Sequence, residues 1–305
     1  MRLLNASGCL DALTAPESAR ELDAYVTKTV TPLPREGNRP MRIAETEVGM
    51  LNAIGLANPG IEAFAAEHLP RLAELGVPIW VSVGGFSVDD CVAVAARLDA
   101  CKDVAALELN LSCPNVDEVP ENVGEVVAAV RAVIGKPLYA KLSPAVADVT
   151  ETARAAEAAG ADGLSLVNTI RGLALDERAL RPLLARGAGG LSGPALRPIA
   201  LAAVHACRRA TRLPIVGMGG VATGRDALEL LAAGANDVAI GTAFFSDPGA
   251  ATRIRSELTA ELAALGFANP DNAVGVAHEP ETPTLNRESS VEGKKYLHTG
   301  ANMSG

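Results

Sequence analysis

A chain of 305 residues with 49% apolar but only 3% aromatic side chains can bury a large core of small aliphatic groups. A net charge of −9 argues against an extended phosphate-binding surface for nucleic acid. No apolar run reaches membrane-spanning length, and Met1 to Leu10 lacks the long apolar core of a signal peptide. The five cysteines are scattered, with no CxxC pair and no metal-like cluster, so free thiols in a reducing cytoplasm are expected, with no metal site.

In chain order, Leu3 to Asn5 reads as a first short strand, Glu17 to Leu22 as a helix and Tyr25 to Thr29 as a β-rich strand. Val30 to Asn58 is a long insertion without clear periodicity. Asn58-Pro59 opens a helix to about Leu75, with asparagine as N-cap and Gly76 past the end. Strands follow at Ile79 to Val83, Ala105 to Leu109, Leu138 to Leu142, Leu164 to Asn168, Pro214 to Met218 and Asp237 to Ile240. Helices separate them: Val88 to Leu98, near Val123 to Val133, Val149 to Ala159, Pro194 to Arg212 and Arg225 to Leu231, with a closing helix to about Leu265. A second insertion, Thr169 to Gly193, interrupts the alternation. Eight strands alternating with helices predict an α/β fold, a (β/α)8 TIM barrel with the two insertions roofing its carboxyl-end mouth. An open doubly wound sheet fits less well, since no early GxGxxG turn is present. The barrel domain is expected over 1–267, and the polar stretch 268–305 as a mobile tail.

In such a barrel the chemistry gathers where the strands end. Strand by strand, the mouth receives Ser7, Lys28, Ser82, Asn110, Lys141 and Asn168, then two glycine-rich turns. Two lysines converging there call for an anion between them, because a buried ammonium is costly alone. The plainer alternative is that each pairs with a structural carboxylate such as Glu108. Gly219-Gly220 and Gly241-Thr242 follow strands seven and eight, where barrels commonly hold a phosphate on backbone N–H groups. Gly193, ahead of the next helix, can add further donors.

Cys113 stands in the run Asn110-Leu-Ser-Cys-Pro-Asn115, directly after the fourth strand. Most cysteines are small buried hydrophobes, which is the reading for Cys9, Cys91, Cys101 and Cys207. A thiol among polar groups at a strand end fits proton transfer better than packing, since it titrates near 8.5 when unperturbed. His68 and His205 fall in helices, and His278 and His298 lie in or near the tail. None is a compelling partner, so a lone thiolate acting as base is favoured over a Cys–His nucleophile.

At these residues the sequence resembles the class 1 dihydroorotate dehydrogenases over about Leu4 to Phe267. The resemblance rests on Asn5-Ala-Ser-Gly8, Lys28, Arg35-Glu-Gly-Asn38, Asn52-Ala-Ile-Gly-Leu56, Asn110-Leu-Ser-Cys-Pro-Asn115, Lys141-Leu-Ser-Pro144, Val167-Asn-Thr169, Gly189-Gly-Leu-Ser-Gly-Pro194, Gly217-Met-Gly-Gly220 and Gly241-Thr242. Membrane-associated relatives carry serine in the cysteine position. The family implies an FMN-dependent barrel that oxidises dihydroorotate to orotate in pyrimidine synthesis, one FMN per chain. It implies Cys113 as the base at C5 of the substrate while a hydride leaves C6. Asn52, Ala53, Ile54, Gly55, Leu56, Asn110, Asn115, Asn168 and Thr169 would hold the substrate. Lys28 would touch both substrate and flavin, and Lys141 the flavin N1/O2 edge. Ala6, Ser7, Thr29, Ser82, Asn110, Val167 and Gly193 would line the cofactor, whose phosphate would sit on Gly219, Gly220, Gly241 and Thr242.

Asn168-Thr169 and Gly190-Leu-Ser-Gly-Pro194 are similar to the NAD-linked subtype, whose partner subunit carries FAD and an iron–sulfur cluster. Arg35-Glu-Gly-Asn38 and Ser82 are closer to the homodimeric, fumarate-using subtype. A homodimer, with such a partner subunit in the first case, is the implied assembly. Two departures stand out: the chain begins almost at the first strand, without most of the hairpin that floors the family's barrel, and Val116 to Asn122 is shorter than the family's loop after the cysteine. Two other functions stay open from the residues alone. One is a flavin-free lyase or aldolase using Lys141 as a Schiff base; the other is a flavin-binding interaction subunit without turnover.

Overall fold

The computed structural model describes residues 1–111 and 122–278. Twelve strands occur there: β1 (Leu3–Asn5), β2 (Tyr25–Val26), β3 (Ile43–Thr46), β4 (Gly49–Asn52), β5 (Ile79–Val83), β6 (Val104–Asn110), β7 (Leu138–Leu142), β8 (Gly163–Leu166), β9 (Ile170–Gly172), β10 (Gly189–Ser192), β11 (Ile215–Met218) and β12 (Asp237–Ile240). Eight are parallel neighbours in the order β1-β12-β11-β8-β7-β6-β5-β2, the expected barrel. A parallel bridge between Leu4 and Ala24 joins the two ends. The side chain of Asn5 completes that seam: its amide donates to the Val26 carbonyl at 2.7 Å and its oxygen accepts from the Val26 N–H at 2.8 Å.

Strand parity sets what lies inside. Leu4, Val26, Trp80, Ala106, Tyr139, Val216, Met218 and Ala239 form the inner cluster, and the alternate residues pack outward against the helices. At the amino end Arg2 acts as a plug. Its guanidinium pairs with Asp237 at 2.6 Å, reaches the Tyr139 hydroxyl at 3.3 Å and lies 5.0 Å over the Trp80 ring.

The helices obey local signals. Ser87 caps Val88–Asp99, Asp148 caps Val149–Ala158, and Thr223 with Asp226 forms a capping box on Gly224–Ala232. The expected helix from Asn58 is broken instead into Ile61–Ala63, a π-turn over Phe64–His68, and Leu69–Ala73. Pro70 cannot donate to the residue one turn back, and the widened turn sits directly before it. Asn58 is not its N-cap, a place Gly60 takes without a side-chain cap; Asn58 instead ties Thr31, Leu56 and Gly60 together ahead of the helix.

Both insertions hold structure that their composition did not reveal. β3, β4, β10 and β9 form a four-stranded antiparallel sheet, with β4 paired to β10 across the two insertions. The polar stretch from Ala268 also differs from expectation at its start. Turns at Pro270–Ala273 and Val276–His278 dock on the barrel, with Ala273 buried and the His278 ring stacked on His205 at 4.1 Å. Residues 279–305 lie outside the described residues. Among the described residues no helix is long and apolar enough to cross a membrane.

Candidate active site

The carboxyl ends of the barrel strands and the inner face of the roof sheet enclose one cleft of about 1310 Å³, counting the part open to solvent. Ala6, Val167 and Met218 supply apolar walls, while three polar groupings divide the rest.

The first is a file of hydrogen bonds across the mouth. The Thr169 N–H donates to the Asn168 side chain at 2.8 Å, and the Asn168 amide donates to Asn110 Oδ1 at 3.1 Å. The Asn110 amide donates to Thr29 Oγ1 at 3.0 Å, and Thr29 Oγ1 lies 2.9 Å from Ser82 Oγ. Four strand ends are thereby locked to one another, and each amide has its orientation fixed by its neighbour. Asn52 of the roof faces this file and donates to the Gly190 carbonyl at 3.2 Å.

The second grouping is cationic. Lys141 Nζ donates to Ser7 Oγ at 2.9 Å and lies 3.8 Å from Glu108 Oε1. Lys28 is exposed to the cleft, and its ammonium has no hydrogen bond or ion pair among the described residues. Burial by the surrounding protein pulls the Lys28 ammonium below its ordinary range, reinforced by Arg42 and opposed by Asp11 and Cys9. The plainer alternative for the lysines therefore holds for Lys141 and fails for Lys28.

The third grouping is backbone. The N–H groups of Gly219, Gly220, Gly241 and Thr242 have no hydrogen-bond partner among the described residues. Gly220 has φ +74, and a Cβ there would meet Arg197 Cβ at 2.7 Å and the Gly193 carbonyl oxygen at 2.9 Å. Gly193 has φ +93, and its Cβ would strike Gly49 Cα at 2.7 Å. Only glycine permits these two turns to approach so closely. Arg197, which pairs with Asp226 of the capping box, braces the first turn from behind.

A family model described as dihydroorotate dehydrogenase matches residues 2–262. The chain belongs to the dihydroorotate dehydrogenase family. Membership makes it a flavin-dependent oxidoreductase acting on dihydroorotate in pyrimidine synthesis. It is 48% identical over 264 residues to a Desulforudis audaxviator protein named dihydroorotate dehydrogenase B (NAD(+)), catalytic subunit, covering 84% of this chain and 86% of that one. A Listeria monocytogenes protein of the same name is 46% identical over 277 residues, covering 88% and 91%. A Latilactobacillus sakei protein, again of that name, is 48% identical over 275 residues, covering 86% and 89%. The fold is also that of a crystal structure of DHODH in complex with ferulenol from Eimeria tenella. The TM-score is 0.79 at 23% identity, covering 91% of this chain and 85% of that one.

Set against the dehydrogenase motifs, most expected site residues line the cleft: Ala6, Ser7, Lys28, Thr29, Asn52, Ile54, Gly55, Leu56, Asn110, Lys141, Val167, Asn168, Thr169, Gly193, Gly219, Gly220, Gly241 and Thr242. Two do not. Ala53 points to the other face of its strand and packs with Leu51 and Leu184. Ser82 is fully buried beneath Thr29 and supports the mouth without facing it. Cys113 and Asn115 lie outside the described residues. Ile43 and Met50 were missed because the roof strands that carry them were not foreseen, and Cys9 because it was read as core. Burial pushes the Cys9 thiol up, against the pull of Lys141 and Lys28. A residue two positions past Ser7 in the first turn was the available signal.

Proposed function

We propose that the cleft holds one FMN and one dihydroorotate, with Cys113 as the base. The observation that carries this reading is the joint presence of unpaired N–H donors at two glycine turns, two cleft-facing lysines and the Asn110–Asn168 amide file. The donors and cations fit a phosphorylated flavin, and the amides fit the alternating carbonyls and N–H groups of a dihydropyrimidine. When bound, FMN supplies the acceptor for the hydride that leaves C6.

Each side chain then has a task. Gly219, Gly220, Gly241 and Thr242 donate to the phosphate, and Ala6, Ser7, Thr29, Val167 and Gly193 line the ring system. Lys141 offers positive charge where the flavin pyrimidine edge gains electrons, and Lys28 serves both ligands. Asn110 and Asn168 present one substrate edge, Asn52 and Thr169 another, with Ile54, Gly55, Leu56 and Asn115 completing the enclosure. Cys113 as thiolate removes the C5 proton, and the electron pair of that C–H bond becomes the new C5=C6 bond. A Schiff base on Lys141 is a poorer use of an amine already held between Ser7 and Glu108.

The expected result is a protein that purifies yellow and releases FMN, not FAD, on heating. A colourless protein that stays colourless in excess FMN would overturn the cofactor assignment.

The names of the relatives support the NAD-linked subtype, so we assign NAD reduction to an electron-transfer partner carrying FAD and an iron–sulfur cluster, docked on a homodimer of this chain. This chain's motifs provide one flavin site and no second cofactor site. The pure chain should therefore reduce dyes with dihydroorotate but reduce NAD poorly. Rapid NADH formation by the pure chain, followed at its absorbance band, would refute the division of labour.

A further inference from the structure

We infer that Glu108 is a positioning residue: the buried counter-ion that aims Lys141 into the cleft, tempers its charge there, and so sets the reduction potential of the bound flavin. The inference rests on the FMN reading above and goes beyond it to a residue that does not line the cleft.

Glu108 is 1% exposed and Lys141 5% exposed, both on inner faces of adjacent strands. The 3.8 Å between Nζ and Oε1 is an ion-pair distance but too long for a hydrogen bond, and Lys141 gives its hydrogen bond upward to Ser7. Among the described residues Glu108 Oε1 has no hydrogen-bond partner, and its companion in that condition is Ser165 Oγ, on β8, the strand flanking Lys141 on the other side. A buried carboxylate with an unsatisfied oxygen is costly, and an apolar residue of similar volume would pack there without that cost. What an apolar residue cannot supply is a negative charge directly beneath Lys141. Together the two side chains form a vertical dipole whose positive end enters the cleft.

The sign of the effect follows from charge. Reduction adds electron density to the flavin, which Lys141 favours and Glu108 opposes. Removing only the Glu108 charge should favour the reduced flavin by about tenfold, or about 30 mV for a two-electron couple.

The test is the midpoint potential of the bound flavin in the full-length holoprotein, measured against a reference dye. Glu108→Gln should raise it by about 30 mV, and Glu108→Asp, which keeps the charge, should remain near wild type. Ser165→Ala, which removes the other unsatisfied atom but no charge, should not move it. Should Glu108→Gln not fold alone, Lys141→Gln should lower the potential and the double variant Glu108→Gln/Lys141→Gln should return toward wild type, because losing both charges removes the pair whole. A yellow Glu108→Gln protein with an unshifted potential, or a double variant no higher than Lys141→Gln, would overturn the inference. A protein that takes up no FMN would instead overturn the cofactor reading beneath it.

Discussion

Cys113→Ser should slow reduction of the bound flavin by dihydroorotate about a hundred- to ten-thousand-fold at neutral pH, the usual worth of a general base. Serine keeps the size and can still hydrogen-bond, but its hydroxyl is a far poorer proton acceptor than a thiol near pH 7. Substrate binding should change little, because the interaction removed is one made in the transition state. The wild-type rate should rise with pH through one ionisation, since only the thiolate accepts a proton, and the mutant should shift that rise upward. Stopped-flow bleaching of the flavin under anaerobic conditions measures both quantities. A merely packed cysteine predicts near-normal rates with a small loss of stability. A Cys113→Ser enzyme with the wild-type rate and pH profile would end the assignment of the base.

The barrel was legible because parallel strands buried on both faces read as unbroken apolar runs between glycine and proline stops. Ile79–Val83, Leu138–Leu142 and Asp237–Ile240 begin and end at the expected residues for that reason. The roof was not legible. β3 and β4 are joined by Glu47-Val48, which lacks the Asn-Gly chemistry that announces a hairpin. β4 then finds its second partner in β10, about 140 residues further along, and no local window contains that pairing. The same strand explains the error at Ala53. A motif written as five consecutive residues cannot present all five side chains to one face, and parity sends Met50, Asn52 and Ile54 to the cleft while Leu51 and Ala53 turn away. Ser82 fails by depth, since as the fourth of five residues in β5 it is inward but lies buried beneath Thr29, below the mouth.

Asn5→Ala should destabilise the barrel by about 2–6 kcal/mol, a large share of the roughly 5–15 kcal/mol that holds a domain folded. The reason lies in the edge of β2. Tyr25 and Thr27 direct their N–H groups to Pro78 and Trp80 on one side, so those of Val26 point the other way, toward β1. There the Asn5 side chain, fully buried, satisfies both the N–H and the carbonyl of Val26. Alanine leaves both groups unpaired in the interior, each at about 1–3 kcal/mol. Asn5→Asp should be no better, because its second oxygen faces the Val26 carbonyl where the amide donated. The seam also positions the site: β1 leads directly into Ser7 and β2 into Lys28, so a loosened closure should weaken flavin retention. Urea titrations at one fixed FMN concentration, with flavin fluorescence read alongside far-ultraviolet circular dichroism, separate the two effects. An Asn5→Ala protein that unfolds at the wild-type midpoint and holds its flavin equally well would show that the backbone bridge between Leu4 and Ala24 closes the barrel unaided.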